Sequence, residues 1–377
     1  MRKIISIIYR ALARLFKVKL FYISKCKGSN KWVFISYIPE VFYKLGNENY
    51  MRGHQSRREM VEMVTVFNKL GYNVYVSSCN NPKLPSKDFD IVFGVEPGFV
   101  YACNKYPRAK KIYYATGSHW NHQNSMIKKR TDEFNKTHHT SLPYTRLVKV
   151  YNQLEMCDLI LQIGSRFTID TYPEEYKEKI SIIHQSNSLG DISDLQIGYA
   201  EENEYIWIGG GGAVLKGLDL VLDYFILHTD KKLHVVGNVE DDFKKIYHER
   251  LNENIILHGH MNLASEGFRS IANRCNYIIY PSCTEAGCPG AVINAMYFGL
   301  IPIVSKWAAP DDIEELGYIL NDLSVDAITA AVEESSKVDH DLVIDKKLEC
   351  SKYIKQTFNL RRFSSEFEKY MHNVIEN

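Results

Sequence analysis

No apolar run in this 377-residue chain approaches the roughly 20 residues needed to cross a bilayer, which excludes a polytopic membrane protein. Its 22 glycines and 11 prolines are too few for a collagen-like or low-complexity chain, and nothing repeats at a solenoid period. The eight cysteines are scattered, with no Cys-x-x-Cys and no Cys/His grouping at zinc spacing. Neither a disulfide scaffold nor a structural metal site is expected, and the chain reads as reduced and cytoplasmic. What remains is ordinary globular material, 45% hydrophobic and 24% charged, long enough for two domains.

Acid is missing from one place in particular. Residues 1–27 hold eight Lys and Arg and no Asp or Glu, against a net charge of only +1 for the whole chain. The body is therefore slightly acidic, and no nucleic acid partner is expected. At 100° per residue, Ile4, Ile5, Ile8, Leu12, Leu15 and Phe16 share one face of residues 2–21, with Arg2, Lys3, Arg10, Arg14 and Lys17 opposite. Residues 1–30 are expected to form a basic amphipathic helix lying on an anionic membrane surface, making the protein peripheral to the inner face of the cell membrane. A helix docked on the protein's own body and a mitochondrial presequence stay open as alternatives. A secretory signal does not fit, because Arg10 and Arg14 interrupt the apolar stretch.

From Lys31 onward, short runs rich in β-branched and aromatic residues alternate with helical segments. The first series places strands at 32–38, 73–78, 90–95, 111–116, 158–164 and 180–185, with a helix over 54–70. A second begins at 204–209 and continues at 232–237, 254–259, 276–282 and 301–305 with helices between. Such alternation means parallel βαβ units, so the fold class is α/β, two doubly wound Rossmann-like domains facing a cleft. Ligands are expected at the carboxyl ends of the strands.

Two strand ends carry the chemistry. After the strand at 204–209, Gly209–Gly212 bring backbone N–H groups close to an anion, and Lys216 adds a point charge before the next helix. Neither a Walker loop nor a dinucleotide fingerprint fits, since Gly-Lys-Ser/Thr is absent and Leu215 stands where the fingerprint needs glycine. After the strand at 276–282, Glu285 sits in a turn with Gly287, Pro289 and Gly290 ahead of a helix. A carboxylate accepts sugar hydroxyls, while amides near Gly290 favour anionic charge. Gly53 and His54, among Arg52, Arg57 and Arg58, open a helix after the first strand and are expected on the acceptor side of the cleft. Arg166 opens another after the fifth strand and is expected at the cleft too. Asp88-Phe89-Asp90 mimics a metal-binding Asp-x-Asp but precedes its strand, so no metal is expected.

Lys-Gly after a glycine turn, followed about 65 residues on by Pro-Ser-x-x-Glu, a glycine turn and Ala-Met-x-x-Gly-x-x-Pro-x-Val, resembles the donor half of glycosyltransferase family 4. The likeness is strong over 204–320 and only architectural over 31–200. It implies the GT-B architecture and a retaining enzyme that uses a nucleotide-diphosphate sugar as co-substrate, with no cofactor. It places Lys216 on the donor diphosphate, Glu285 on the transferred sugar and His119 near that sugar, with Gly210, Gly211, Gly212, Gly287, Gly290 and Asn294 lining the donor site. Two departures stand out: the first glycine turn lacks the family's Arg, and the family's second Glu is Asn294, one residue further on. The organisation expected is a membrane-association helix (1–30), an acceptor-side domain (31–198), a donor-binding domain (199–345) and a C-terminal helix (346–377) packing back across the domain junction. The function expected is sugar transfer to a lipid-linked or oligosaccharide acceptor in cell-surface polysaccharide or glycoconjugate synthesis. The alternatives are a non-catalytic glycan-binding or partner subunit and a sugar-nucleotide epimerase.

Overall fold

The computed structural model describes residues 21–190, 192, 195–200 and 203–376. Thirteen strands form two sheets among the described residues. The first sheet runs β1-β3-β2-β4-β5-β6-β7, built from β1 (Phe21–Ser24), β2 (Trp32–Tyr37), β3 (Asn73–Ser78), β4 (Ile91–Gly94), β5 (Lys110–Ala115), β6 (Leu159–Ile163) and β7 (Ile180–Ile183). The second runs β10-β9-β8-β11-β12-β13, from β8 (Glu204–Ile208), β9 (Lys232–Val236), β10 (Ile255–Gly259), β11 (Cys275–Tyr280), β12 (Ile301–Ser305) and β13 (Tyr318–Leu320). Pairings β8–β9, β9–β10, β8–β11, β11–β12 and β12–β13 are all parallel. Apart from the antiparallel edge strand β1, both sheets start in the middle and wind outward, so both are Rossmann-like.

The chain divides into two compact units of non-contiguous segments: residues 1–115, 151–161 and 364–377, and residues 116–150 and 162–363. In the first unit, β2 pairs in parallel with β3 and β4, and helix α1 (Gln55–Lys69) buries Met60, Met63, Val64 and Phe67. The end of the chain belongs here. Phe367 lies edge-on to Phe67 and Phe93, with ring centres 5.5 and 5.4 Å apart. Residues 346–377, expected as one helix, fall in two, His340–Thr357 and Leu360–Glu376.

One expectation is corrected at the edge of this unit. Residues 21–24 belong to the segment read as helix, yet they form β1, antiparallel to β3 with Phe21 opposite Ser77. The four residues are aromatic, β-branched or small, and β3 offers its free edge: Phe21 stacks on Tyr75 at 5.3 Å and Tyr22 on Phe42 at 3.8 Å. Residues 1–20, where the rest of that expected helix falls, lie outside the described residues.

The second unit holds helices α2 (Trp120–Thr137), α3 (Leu218–Leu227), α4 (Asp241–Tyr247) and α5 (Gly290–Tyr297). Its core is dense: Trp207, Phe225, Ile278, Ile279, Val292, Ile293 and Met296 are fully buried. A buried ion pair, Arg130 to Asp219 at 2.6 Å, ties α2 to α3. Neither sheet's fully buried strands alternate in polarity, as expected when helices cover both faces.

Candidate active site

In an open parallel sheet the winding direction reverses at one pair of strands, and the crevice outside their carboxyl ends receives ligands. In the second sheet that pair is β8 and β11. The two turns leaving them are the glycine turn with Lys216 and the turn with Glu285. They interlock through backbone. Gly217 takes φ +68°, and a Cβ there would lie 2.4 Å from the Pro281 carbonyl oxygen, so only glycine fits. The Cys283 N–H donates to the Leu215 carbonyl at 2.8 Å, and the Ser282 hydroxyl donates to the same carbonyl at 3.2 Å. Trp207 Nε1, on β8, donates to the Lys216 carbonyl at 3.2 Å.

The electrostatics follow from that confinement. Glu285 accepts a hydrogen bond from the Tyr280 hydroxyl at 2.9 Å and a longer one from Ser282 at 3.4 Å. Burial pushes its carboxyl above the usual range, against the pull of the Lys216 ammonium and the Tyr280 bond. Lys216 is displaced the other way: burial lowers its ammonium, while Glu285 counters. A desolvated cation and a desolvated hydroxyl acceptor thus stand within electrostatic reach of one another. The neighbouring Cys283 thiol is pushed up by burial to about 12, which removes it as a nucleophile at neutral pH.

The start of α2 joins this cluster. Ser118 Oγ and Thr284 Oγ1 are 2.6 Å apart, which sets His119 beside the Glu285 turn. His119 precedes α2, is buried, packs its ring 5.3 Å from Tyr172, and donates its backbone N–H to Thr171. His122, one turn on, went unnoticed in the sequence. Its ring lies 4.3 Å from that of Trp307, and its Nε2 is buried with no partner among the described residues. Burial, then His119, lowers its imidazole to about 4, so it is neutral at physiological pH. Two more residues meet the glycine turn. Glu240, after β9, accepts from the Gly212 N–H and, at 3.3 Å, from the Ala213 N–H. Arg146 Nη1 donates to the Gly211 carbonyl at 3.0 Å. The turn's anion-binding amides are therefore partly engaged by the protein's own carboxylate. No sequence-local signal marks either residue, since they lie 65 and 28 positions from their partners.

Other expected site residues are engaged in packing. A Cβ on Gly287 would lie 2.3 Å from the Ser165 nitrogen, so this glycine permits a close turn–turn contact. Asn294 is buried; its side chain donates to Ser188 Oγ at 2.9 Å and accepts from the Ser188 N–H at 3.3 Å. Arg166 pairs with Glu314 at 2.5 Å. Gly290 is the first residue of α5. Gly53 and His54 belong to the first unit, where His54 Nδ1 caps α1 by accepting the Ser56 N–H at 3.3 Å. Asp90 accepts the Trp32 N–H at 2.6 Å, pinning the sheet's entrance edge.

Among the described residues one cluster, Glu204, His234 and Cys275, places its donor atoms within 4.8 Å of one another. Positive charge already fills it, with Lys232 at 2.6 Å and Arg274 at 3.1 Å from the Glu204 carboxylate.

Residues 202–337 match the family model described as Glycosyl transferases group 1. The two sheets share the GT-B glycosyltransferase fold. A solved structure of Anabaena Alr3699/HepE in complex with UDP and glucose aligns at TM-score 0.57 and 10% identity, covering 91% of this chain and 99% of that one. A glycosyltransferase from Rickettsia africae ESF-5 aligns at 0.56 and 12%, covering 92% and 100%. A mutant of S. aureus TarM in complex with fondaparinux, alpha-GlcNAc-glycerol and UDP aligns at 0.52 and 12%, covering 76% of this chain but only 55% of TarM. This chain thus spans about half the length of that relative. No curated protein matches the chain in sequence. At such identities the likeness is one of fold. No helix among the described residues is long and apolar enough to cross a membrane.

Proposed function

We propose that the chain is a nucleotide-sugar-dependent glycosyltransferase of the family 4 type, moving a sugar with retention onto a lipid-linked or glycan acceptor. The observation that carries this reading is the convergence of the Lys216 and Glu285 turns at the β8/β11 switch point, where hydrogen bonds to backbone fix both turns in one arrangement. Lys216 holds the donor diphosphate and takes up the negative charge that grows on it as the C1–oxygen bond breaks. Glu285 accepts hydroxyl hydrogens of the transferred sugar, and His119, beside it, meets the same sugar. The acceptor hydroxyl attacks C1 from the face the diphosphate leaves, and its proton passes to a diphosphate oxygen. Bond, charge and proton balance without a protein base. No divalent cation is required, since Lys216 supplies the charge. Gly53 and His54 are assigned to the acceptor side. The acid-free residues 1–27 attach the enzyme to anionic lipid, which favours an acceptor at the cytosolic membrane face.

UDP-glucose and UDP-N-acetylglucosamine are the first donors to try, since relatives of this fold bind UDP. The test is release of UDP from each, with and without a membrane-lipid extract as acceptor, and the anomeric configuration of any product by NMR. Slow release alone, fast release with acceptor and a product of donor configuration are expected. Failure of every nucleoside diphosphate to raise the melting temperature, together with no release, would remove the proposal.

A further inference from the structure

A second cation reaches the glycine turn from elsewhere in the second unit. Residues 141–150 run as a strap along α2. Asn135 bonds both backbone groups of Leu142 at 2.7 and 3.0 Å, Asn124 bonds both of Val148 at 2.9 Å, and Gln123 Nε2 donates to the Arg146 carbonyl at 3.1 Å. Between these anchors Arg146 takes φ 62°, a left-handed conformation that a side chain adopts only at a cost and that concentrates at functional sites. Its side chain lies on the glycine turn. A Cβ on Gly212, where φ is +93°, would sit 2.8 Å from Arg146 Cδ, and Nη1 is bonded to a neutral carbonyl. Among the described residues no carboxylate stands within ion-pair distance of this guanidinium, which leaves most of its five N–H donors for a ligand. It is nonetheless within electrostatic reach of the site, where it pulls down both the Glu285 carboxyl and the Lys216 ammonium.

The charge balance gives the strap a purpose. Glu240 already occupies the amides of Gly212 and Ala213, so the turn's backbone alone cannot neutralise a diphosphate. We infer that Arg146 is the second cation of the diphosphate subsite, delivered by the 141–150 strap and opposed to Lys216 across a turn that must be glycine to admit it. This rests on the reading of the site as one for a nucleotide-diphosphate sugar. A forked guanidinium suits two phosphate oxygens as an ammonium does not. The inference also places a donor contact outside residues 202–337, the segment the family model covers.

The experiment compares UDP, GDP and ADP with their nucleosides by calorimetry on wild type, Arg146→Gln, Arg146→Lys and Gly212→Ala. Melting temperatures of the ligand-free proteins serve as the control for folding. For whichever diphosphate the wild type binds, Arg146→Gln should lose about tenfold or more in affinity, with the nucleoside unaffected. Arg146→Lys should recover part of the loss, because charge returns without the fork. Gly212→Ala should lose as much as Arg146→Gln and add little to it in the double variant. Wild-type diphosphate affinity in Arg146→Gln, or equal losses for diphosphate and nucleoside, would overturn the inference while Lys216→Ala still tests the reading beneath it. A wild type that binds no diphosphate would overturn both.

Discussion

Replacing Lys216 by Ala removes an ammonium from within electrostatic reach of the Glu285 carboxylate, and two consequences are measurable. A hydrogen bond to a charged group contributes about 1.5–3 kcal/mol net, which is roughly 10- to 150-fold in the Kd of a nucleoside diphosphate. Glu285→Gln acts in the opposite sense on binding, since it deletes a negative charge facing the diphosphate. Nucleotide affinity should hold or rise in that variant, while turnover falls about tenfold or more because the sugar loses an ionic acceptor in the transition state. The pH dependence carries a sharper signature. Burial raises the Glu285 carboxyl, so wild-type turnover should fall as pH drops through that raised value and the carboxylate takes a proton. Lys216 is the largest influence holding the value down, so its removal should move the acid limb to higher pH. Burial lowers the Lys216 ammonium, so diphosphate binding should weaken as pH rises through that lowered value, and this alkaline limb should be absent in Lys216→Ala. Calorimetric titrations and initial rates from about pH 5 to about pH 9 measure both limbs. Wild-type affinity in Lys216→Ala with an unmoved acid limb would refute the assignment of both residues.

Three further outcomes are expected. Arg130 and Asp219, with side chains only 6% and 4% exposed, tie α2 to α3. Asp219→Ala should cost about 3–5 kcal/mol in denaturant unfolding, and Arg130→Met combined with Asp219→Leu should recover most of it. Transfer should survive a chelator; activity abolished by it and restored by manganese or magnesium would show that a metal, not Lys216, neutralises the diphosphate. Deletion of residues 1–20, which spares β1, should release the protein from anionic vesicles without changing UDP affinity. Equal sedimentation of full-length and shortened protein would refute the lipid contact.

Apart from β1 and β13, the strands and the two turns that carry Lys216 and Glu285 were legible because each rests on a local pattern. Runs such as EYIWI at 204–208 and CNYIIY at 275–280 are short, β-branched or aromatic and bounded by glycine or proline, and they appear as β8 and β11. The same local logic misread residues 21–24. Their apolar and basic residues continue a helical pattern, but the decisive fact is the open edge of β3, some 50 residues away, and no window of sequence contains it. Gly287 is expected to line the donor site because the resemblance places a glycine turn there. Its backbone conformation is equally demanded by Ser165, which lies 122 positions earlier and packs against it.

The strongest case is the glycine turn itself. Read along the chain, the run Gly209–Gly212 lacks a cation and looks like a weakened phosphate site. In space it is crowded, with Glu240 on its amides and Arg146 on a carbonyl, and the glycines are what make room for them. An arginine written into the turn and an arginine delivered by a strap put the same charge at the same strand end. The first is visible as a motif, and the second only once helix α2 has folded and Asn124 and Asn135 have fixed the strap against it. A motif can therefore lose a residue while its site keeps the corresponding charge. Whether this has happened here comes down to the affinity of Arg146→Gln for a diphosphate measured against its affinity for the nucleoside alone.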